Sequence, residues 1–295
     1  MKVSPCFALV LFASVVCKAA EEAGPRDLSQ VDKSGFHLFN PTPAEYLREM
    51  NTDRPDKTES PYTVDAGHFQ VEMDLVTYTR ERERRGGTTS LAESTSIAPV
   101  NLKAGLWNRA DLQLVLETWT EVETRVRTGG VTLRERHRGF GDVTTRLKYN
   151  FWGNDGGATA FGALPFAKFP TSQDGLGNNS VEGGLILPLA VSLPRGVGMG
   201  LMTEFDFNRD GAGNGRHVEF VNSITFSHDL VGDLGGYVEF FSSVSEERGA
   251  DWVGSVDLGL TFGLTDNLQL DAGISLGVTR AADDVNPFVG ISWRF

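Results

Sequence analysis

Residues 268–295 read LQLDAGISLGVTRAADDVNPFVGISWRF. Leu268, Leu270, Ala272, Ile274, Leu276 and Val278 occupy one parity, and Gln269, Asp271, Gly273, Ser275, Gly277 and Thr279 the other. Side chains on a strand point alternately to opposite faces, so this stretch predicts one continuously apolar face and one that is polar or bare backbone. After a loop at 281–286 the chain returns with Val289, Ile291, Trp293 and Phe295 opposite Gly290, Ser292 and Arg294. A hairpin greasy on one side only is therefore expected at this end of the chain.

The same alternation predicts ten further strands upstream, over 67–80, 93–106, 111–125, 141–152, 157–170, 181–193, 197–208, 217–229, 235–245 and 252–264, making twelve in all. In the third of these, Leu112, Leu114, Leu116 and Val122 oppose Gln113, Glu117 and Glu121. Most of the segments exceed the ~9 to 11 residues that cross a bilayer at a tilt, whereas strands of soluble sandwiches average ~5 to 6. Their connections alternate without exception. Long ones fall at 81–92, 126–140, 171–180, 209–216, 246–251 and 281–286, and short ones at 107–110, 153–156, 194–196, 230–234 and 265–267. Longer outer loops and tight periplasmic turns are the asymmetry of outer-membrane barrels. Trp107, Phe151, Trp152, Phe262, Trp293 and Phe295 gather near the short turns, where amphipathic rings favour the headgroup level. The expected fold is all-β, a 12-stranded antiparallel transmembrane β-barrel with a short N-terminal extension.

Residues 287–295 resemble the terminal strand of Gram-negative outer-membrane barrels, in which a final Phe preceded by apolar residues at every second position marks the chain for assembly. That resemblance implies that Phe295 is an assembly signal and that the barrel assembly machinery is a partner.

Composition agrees with such a chain. Hydrophobic residues make up 40% of 295, mean hydropathy is −0.19 and the formal net charge is −12. The longest apolar run, Cys6 to Cys17, is shorter than the ~20 residues of a spanning helix. Lys2, the apolar stretch 7–16 and the small residues Ala19 and Ala20 predict a signal peptide over 1–20. Its removal would take away both cysteines, and with them any disulfide or thiolate metal site. It would also leave 25 basic against 39 acidic residues, a net of −14, which repels phosphate backbones and excludes nucleic acid as a partner.

The remainder divides into an extension at 21–66 and the barrel at 67–295. The extension lacks period-two alternation. Thr42, Pro43, Ala44 and Glu45 have the form of a capping box with Pro at the first helical position, predicting a helix to about Met50. The segment is either a periplasmic extension or a plug in the barrel mouth. Within it, Asp53, Arg54, Pro55, Asp56, Thr58, Glu59, Ser60 and Pro61, followed by Thr63, Val64 and Gly67, resemble a family of outer-membrane proteins named for the MetA pathway of phenol degradation. The resemblance implies a barrel and a transport role for small apolar or aromatic solutes.

If the apolar parity meets lipid, the other lines the lumen. The lumen candidates are Glu72, Asp74, Lys103, Glu117, Glu121, Arg146, Lys148, Lys168, Glu182, Glu204, Asp206, Glu239, Asp257, Asp271 and Arg294, with Asp111 and Asp142 of the same parity. Such groups either line a polar pore or fill the interior as a paired network, giving two functional readings: a solute channel, or a closed barrel with a structural or surface-interaction role. Glycines on the lumen parity, among them Gly200, Gly273 and Gly290, favour an open interior. Arginines crowd the first two long connections, at Arg80, Arg82, Arg84 and Arg85 and at Arg125, Arg127, Arg134, Arg136 and Arg138, and suit the phosphates of lipopolysaccharide. Nothing points to an enzyme. Ser227, His228 and Asp229 are strand neighbours on alternating faces, the histidines lack metal-ligand spacing, and Asp210-Gly-Ala-Gly-Asn-Gly lacks the terminal carboxylate of a calcium loop. Catalytic residues, metal and cofactors are therefore expected to be none.

Overall fold

A computed structural model describes residues 28, 30–211 and 215–295. The expected signal peptide lies outside the described residues. Fifteen strand segments follow one another: β1 (Phe69–Arg85), β2 (Thr88–Ile97), β3 (Val100–Trp107), β4 (Ala110–Leu116), β5 (Trp119–Thr128), β6 (Val131–Gly139), β7 (Val143–Trp152), β8 (Thr159–Phe169), β9 (Glu182–Leu193), β10 (Val197–Arg209), β11 (Arg216–Val231), β12 (Leu234–Ser245), β13 (Val253–Thr265), β14 (Leu268–Gly277) and β15 (Val285–Arg294). The pairs β2 and β3, β4 and β5, and β6 and β7 are each one strand interrupted at the rim, so twelve strands form the sheet, all antiparallel. It closes where β15 pairs with β1, Gln70 opposite Arg294 and Met73 opposite Ile291. Closure leaves no spanning edge whose amide and carbonyl groups would meet hydrocarbon unpaired.

The barrel is inside out relative to a soluble protein. Leu75, Leu102, Leu112, Leu147, Phe226, Leu258, Leu260 and Val289 are exposed on its outer surface, while Gln70, Glu72, Lys103, Asp111, Gln113, Lys148, Asn150, Glu239, Asp257 and Ser292 are buried within. An aromatic girdle marks the short-turn end: Phe69 stacks on Phe295, Phe151 on Phe161, and Trp293 leans on Phe295 with centroids 4.8 Å apart. One apolar patch breaks the polar lining. Leu164, Ile186, Met202 and Val221 form a buried cluster on the inner side of β8–β11, with Phe166 and Phe241 against it.

Three expectations need correction. The first two long connections are hairpins, not loops: β1 and β2 pair from Val76–Ile97 up to Arg85–Thr88, and β5 and β6 from Thr120–Gly139 to Thr128–Val131. Each turns on two glycines at positive φ, Gly86 (54°) with Gly87 (82°) and Gly129 (56°) with Gly130 (87°), the conformation that two-residue hairpin turns require. The upper half of β1, with β2, β5 and β6, thus projects above the rim as a four-stranded sheet. The second correction is one of phase. A bulge between Asp74 and Val76, a break at Ala98 (φ 56°) and Pro99, and a break at Glu117 and Thr118 shift the alternation together across neighbouring strands. Val76 lies opposite the outward Val289 and opposite Ile97, which lies opposite Trp119. Glu121, two residues on, therefore faces outward and Val122 inward, the reverse of simple alternation.

Third, the helix predicted from Thr42 to Met50 is a single 3₁₀ turn, Ala44–Tyr46, without a side-chain cap. Leu47 is already extended, because Arg48 is drawn elsewhere: its N–H donates to Asp65 (3.1 Å) and its guanidinium to Asn108 (2.9 Å) and Asp155 (3.1 Å). Among the described residues no helix is long and apolar enough to cross a membrane.

Phe295 ties the seam. Its N–H donates to the Phe69 carbonyl (2.9 Å) and its carbonyl accepts from the Phe69 N–H (3.0 Å). Phe295→Ala keeps those backbone bonds but loses the ring contacts, worth about 0.5–1.5 kcal/mol each. The variant is expected to unfold at lower denaturant in detergent micelles, read from the heat-modifiable gel shift of the folded barrel. An unchanged midpoint would refute this account of the seam.

Candidate functional site

The candidate site is the lumen, and the extension occupies it. At the short-turn end the Leu38 N–H donates to the Leu106 carbonyl (2.9 Å), and Lys33 donates to Asp155 (2.7 Å). Burial pushes the Asp155 carboxyl up, but Lys33, Arg48 and Asn108 outweigh it and hold that group below the ordinary carboxylate range. Asp65, close by, is bound by Lys33 (3.5 Å), Arg48 (3.3 Å) and Arg294 (3.5 Å). From this clasp residues 49–64 run against the inner wall and return.

The motif residues contact the wall in order. The carboxylate of Asp53 is held by Lys103 and by Lys148 (2.5 Å), and its N–H donates to Glu72 (3.1 Å), which also binds Lys103. Arg54 bridges Asp74 (2.8 Å) and Asp271 (2.7 Å). Lys57 donates to Ser275 (3.0 Å) and Ser255 (3.1 Å), lies 3.3 Å from Asp257 and sits 4.6 Å from the centre of the Phe241 ring. The Lys57 N–H and the Thr58 hydroxyl both donate to Glu239, at 2.9 and 2.5 Å. Glu59 takes Arg146 (2.5 Å), the Ser60 N–H donates back to Asp53 (3.0 Å), and the Pro61 carbonyl accepts from Asn150 (2.9 Å). Asp56 and Pro55 face a cavity of about 420 Å³ between this segment and the wall, lined also by Gly198, Gly200, Thr225 and Tyr237.

Charge explains the order. Lys103, Lys148 and Arg146 make a basic sector on β3 and β7, and it receives the acidic Asp53 and Glu59. Asp74, Asp271, Asp257 and Glu239 make an acidic sector on β1 and β12–β14, and it receives Arg54 and Lys57. Buried charges are tolerated when paired and hydrogen-bonded. Glycines provide clearance for close approach: a Cβ at Gly290 would lie 2.1 Å from the Arg54 guanidinium, and one at Gly105 would lie 2.0 Å from the Asp65 carbonyl oxygen. The space that bare lumen positions suggested is thus partly taken by the chain itself.

The remaining lumen candidates divide. Lys168 pairs with Glu182 (2.5 Å) towards the long-connection end, and Asp206 borders Gly184 two positions beyond Glu204 on β10. Arg294 belongs to the short-turn clasp, donating to the Arg48 carbonyl (2.8 Å). Glu117 is exposed at the rim break between β4 and β5. Glu121 is not a lumen residue; it pairs with Arg136 (2.5 Å) on the outward face of the projecting sheet. Sequence reasoning passed over Lys57, although it is the second basic residue of the motif beside Arg54, and over the apolar cluster, because Leu164, Ile186, Met202 and Val221 come from four strands whose inward parity is otherwise mixed. Asp210 and His217, seven residues apart, also meet the more distant Glu247, with ligand atoms all within 4.8 Å of one another. His217 and Asp210 are hydrogen-bonded (2.9 Å) and Glu247 accepts from the Gly211 N–H (2.7 Å), so the trio clasps two of the longer connections.

The fold can be compared with solved structures. An outer membrane channel from Pseudomonas putida F1 aligns with a TM-score of 0.55 at 13% identity, covering 83% of this chain and 100% of that one. The translocator domain of the autotransporter NalP from Neisseria meningitidis aligns at 0.47 and 11% identity over 77% and 88% of the two chains. The Ralstonia pickettii toluene transporter TbuX aligns at 0.43 and 10% identity over 77% and 89%. No curated protein matches in sequence. A family model, described as "Putative MetA-pathway of phenol degradation", matches residues 52–295, from the first residues of the lumen segment to the end of the last strand, and the chain belongs to that family.

Proposed function

We propose that this chain is an outer-membrane transporter for small apolar or aromatic solutes and that the lumen segment controls their passage. One observation carries the reading: the segment is held by polar contacts beside an apolar strip of the inner wall. The Glu59 N–H faces the Met202 sulfur at 3.4 Å, and Met202 packs with Leu164, Ile186 and Val221. A shift of residues 53–61 would open that strip to the lumen and join it to the cavity already present at the short-turn end. Polar contacts suit a reversible plug, because each can be exchanged for a contact with water at small net cost. The family's association with phenol degradation supports the aromatic solute class. The family motif is, on this reading, the plug itself and involves neither catalysis nor a cofactor.

The closed-barrel reading predicts the opposite behaviour when the plug is loosened. Arg54→Ala with Lys57→Ala removes both cations from the acidic sector, leaving there only the Lys57 N–H and Thr58 hydroxyl contacts to Glu239, and leaves every strand unchanged. In planar bilayers the native protein is expected to show little ion conductance and the double variant a steady one. Cells with an intact lipopolysaccharide layer should take up labelled phenol several-fold faster when they express the native protein. Absence of both conductance and uptake, with the barrel folded by gel shift, would leave a structural role.

Two further outcomes follow from the plug contacts. Asp53→Asn strands Lys103 and Lys148 with less counter-charge, and breaking a buried pair of this kind costs about 3–5 kcal/mol. Its effect should appear as protease cleavage within 49–64 before the strands unfold. Asp155, with its folded value depressed, contributes stability that is fully present above its unfolded value of about 3.9 and is lost as pH falls below it. Cleavage near residues 33–48 should therefore rise as pH drops through about 4, and Asp155→Asn should show that sensitivity already at pH 7.

A further inference from the structure

The projecting sheet separates charge by face. Along β1 the run Arg80, Glu81, Arg82, Glu83, Arg84 alternates in sign, and because strand side chains alternate in direction, neighbours in sequence point apart. Pairing across the sheet collects the arginines. Arg80 lies opposite Glu93, which lies opposite Glu123, which lies opposite Arg136. In the next row Arg82, Leu91, Arg125 and Arg134 align, then Arg84, Thr89, Arg127 and Thr132. Tyr78, Thr95, Glu121 and Arg138 form the row beneath. One face thus carries Arg80, Arg82, Arg84, Arg125, Arg127, Arg134, Arg136 and Arg138 against Glu93, Glu121 and Glu123, a cationic surface on a chain of net charge −12.

The acidic members are already engaged. Glu93 and Glu123 bind Arg125 (3.3 and 2.6 Å), and Glu121 binds Arg136 (2.5 Å). Arg80, Arg82, Arg84, Arg127, Arg134 and Arg138 have no ion-pair partner among the described residues, and all are exposed. Their direction is fixed by register. Val76 and Arg80 lie opposite Val289 and Val285, which share the outward parity of β15, so the arginine face continues the lipid-facing side of the wall. Directly below it, Val76, Ile97 and Trp119 form the last apolar row. The first charged row therefore stands where hydrocarbon gives way to headgroups, on the side of the long connections.

We infer that this face binds the phosphate groups of lipopolysaccharide in the outer leaflet beside the barrel. Guanidinium forks match phosphate oxygens, and successive rows that carry them, starting with Arg138 just above the apolar band and continuing through Arg80, Arg82 and Arg84, suit a lipid that is apolar below and polyanionic above. The inference goes beyond transport and does not depend on an open lumen.

The test uses the full barrel in detergent micelles titrated with purified lipopolysaccharide. The variant is Arg82→Gln, Arg84→Gln, Arg134→Gln, Arg138→Gln, all at exposed positions, checked for folding by gel shift. Binding should weaken about tenfold or more in the variant and fall with salt. A control with Glu81→Gln and Glu83→Gln on the opposite face should bind as the native protein does. Unchanged affinity in the folded arginine variant would overturn the inference, as would equal binding of dephosphorylated lipopolysaccharide. Inorganic phosphate that displaces the lipid at equal concentration would show a free-anion site instead and also overturn it.

Discussion

A strand that crosses hydrocarbon has nowhere to discharge its backbone hydrogen-bonding groups except onto another strand. Every other feature of this molecule follows from meeting that demand with a closed ring. Closure through β15 and β1 makes one face of every strand an outside and the other an inside, and the hydrophobic effect then sorts side chains in the reverse of the soluble order. The interior inherits the polar parity, including carboxylates and ammonium groups that could not remain there alone. Partners must come from the opposing wall or from another part of the chain. Here much of the pairing comes from the extension, whose Asp53, Arg54, Lys57 and Glu59 each meet the sector of opposite sign.

This division explains what could be read from the chain beforehand. The barrel, its strand number and the parity of most lumen residues were legible because period two is imposed by covalent geometry and repeated twelve times. Glu72, Lys103, Lys148, Glu239 and Asp271 were found by parity alone. Glu121 was misplaced because the alternation slips at Glu117 and Thr118, and nothing local announces a slip that neighbouring strands share. The Gly86-Gly87 and Gly129-Gly130 turns were legible in principle, since paired glycines between Thr-rich flanks mark a tight hairpin. They were obscured by the arginines around them, which resemble loop composition.

The lumen contacts were legible only in kind. An acidic interior with few basic wall residues implied unmet charge, but not the source of the missing cations. Arg54 and Lys57 reach partners more than 180 positions away in the chain, and no local pattern encodes such a distance. The failed helix at 42–50 has the same origin. Its capping residues are sound, yet tertiary bonds from Arg48 to Asp65, Asn108 and Asp155 outcompete a short helix that would gain little by itself.

The lumen segment is anchored at the same mouth on both sides. Arg48 reaches the Asn108 turn before it, and Thr63 and Gly67 reach Asn108 and Gly105 after it. A chain that enters and leaves by one opening is a bight, not a thread. It can be drawn out through the short-turn mouth, or slipped in after the ring has formed, without an end of the chain being threaded through the barrel and without the ring reopening.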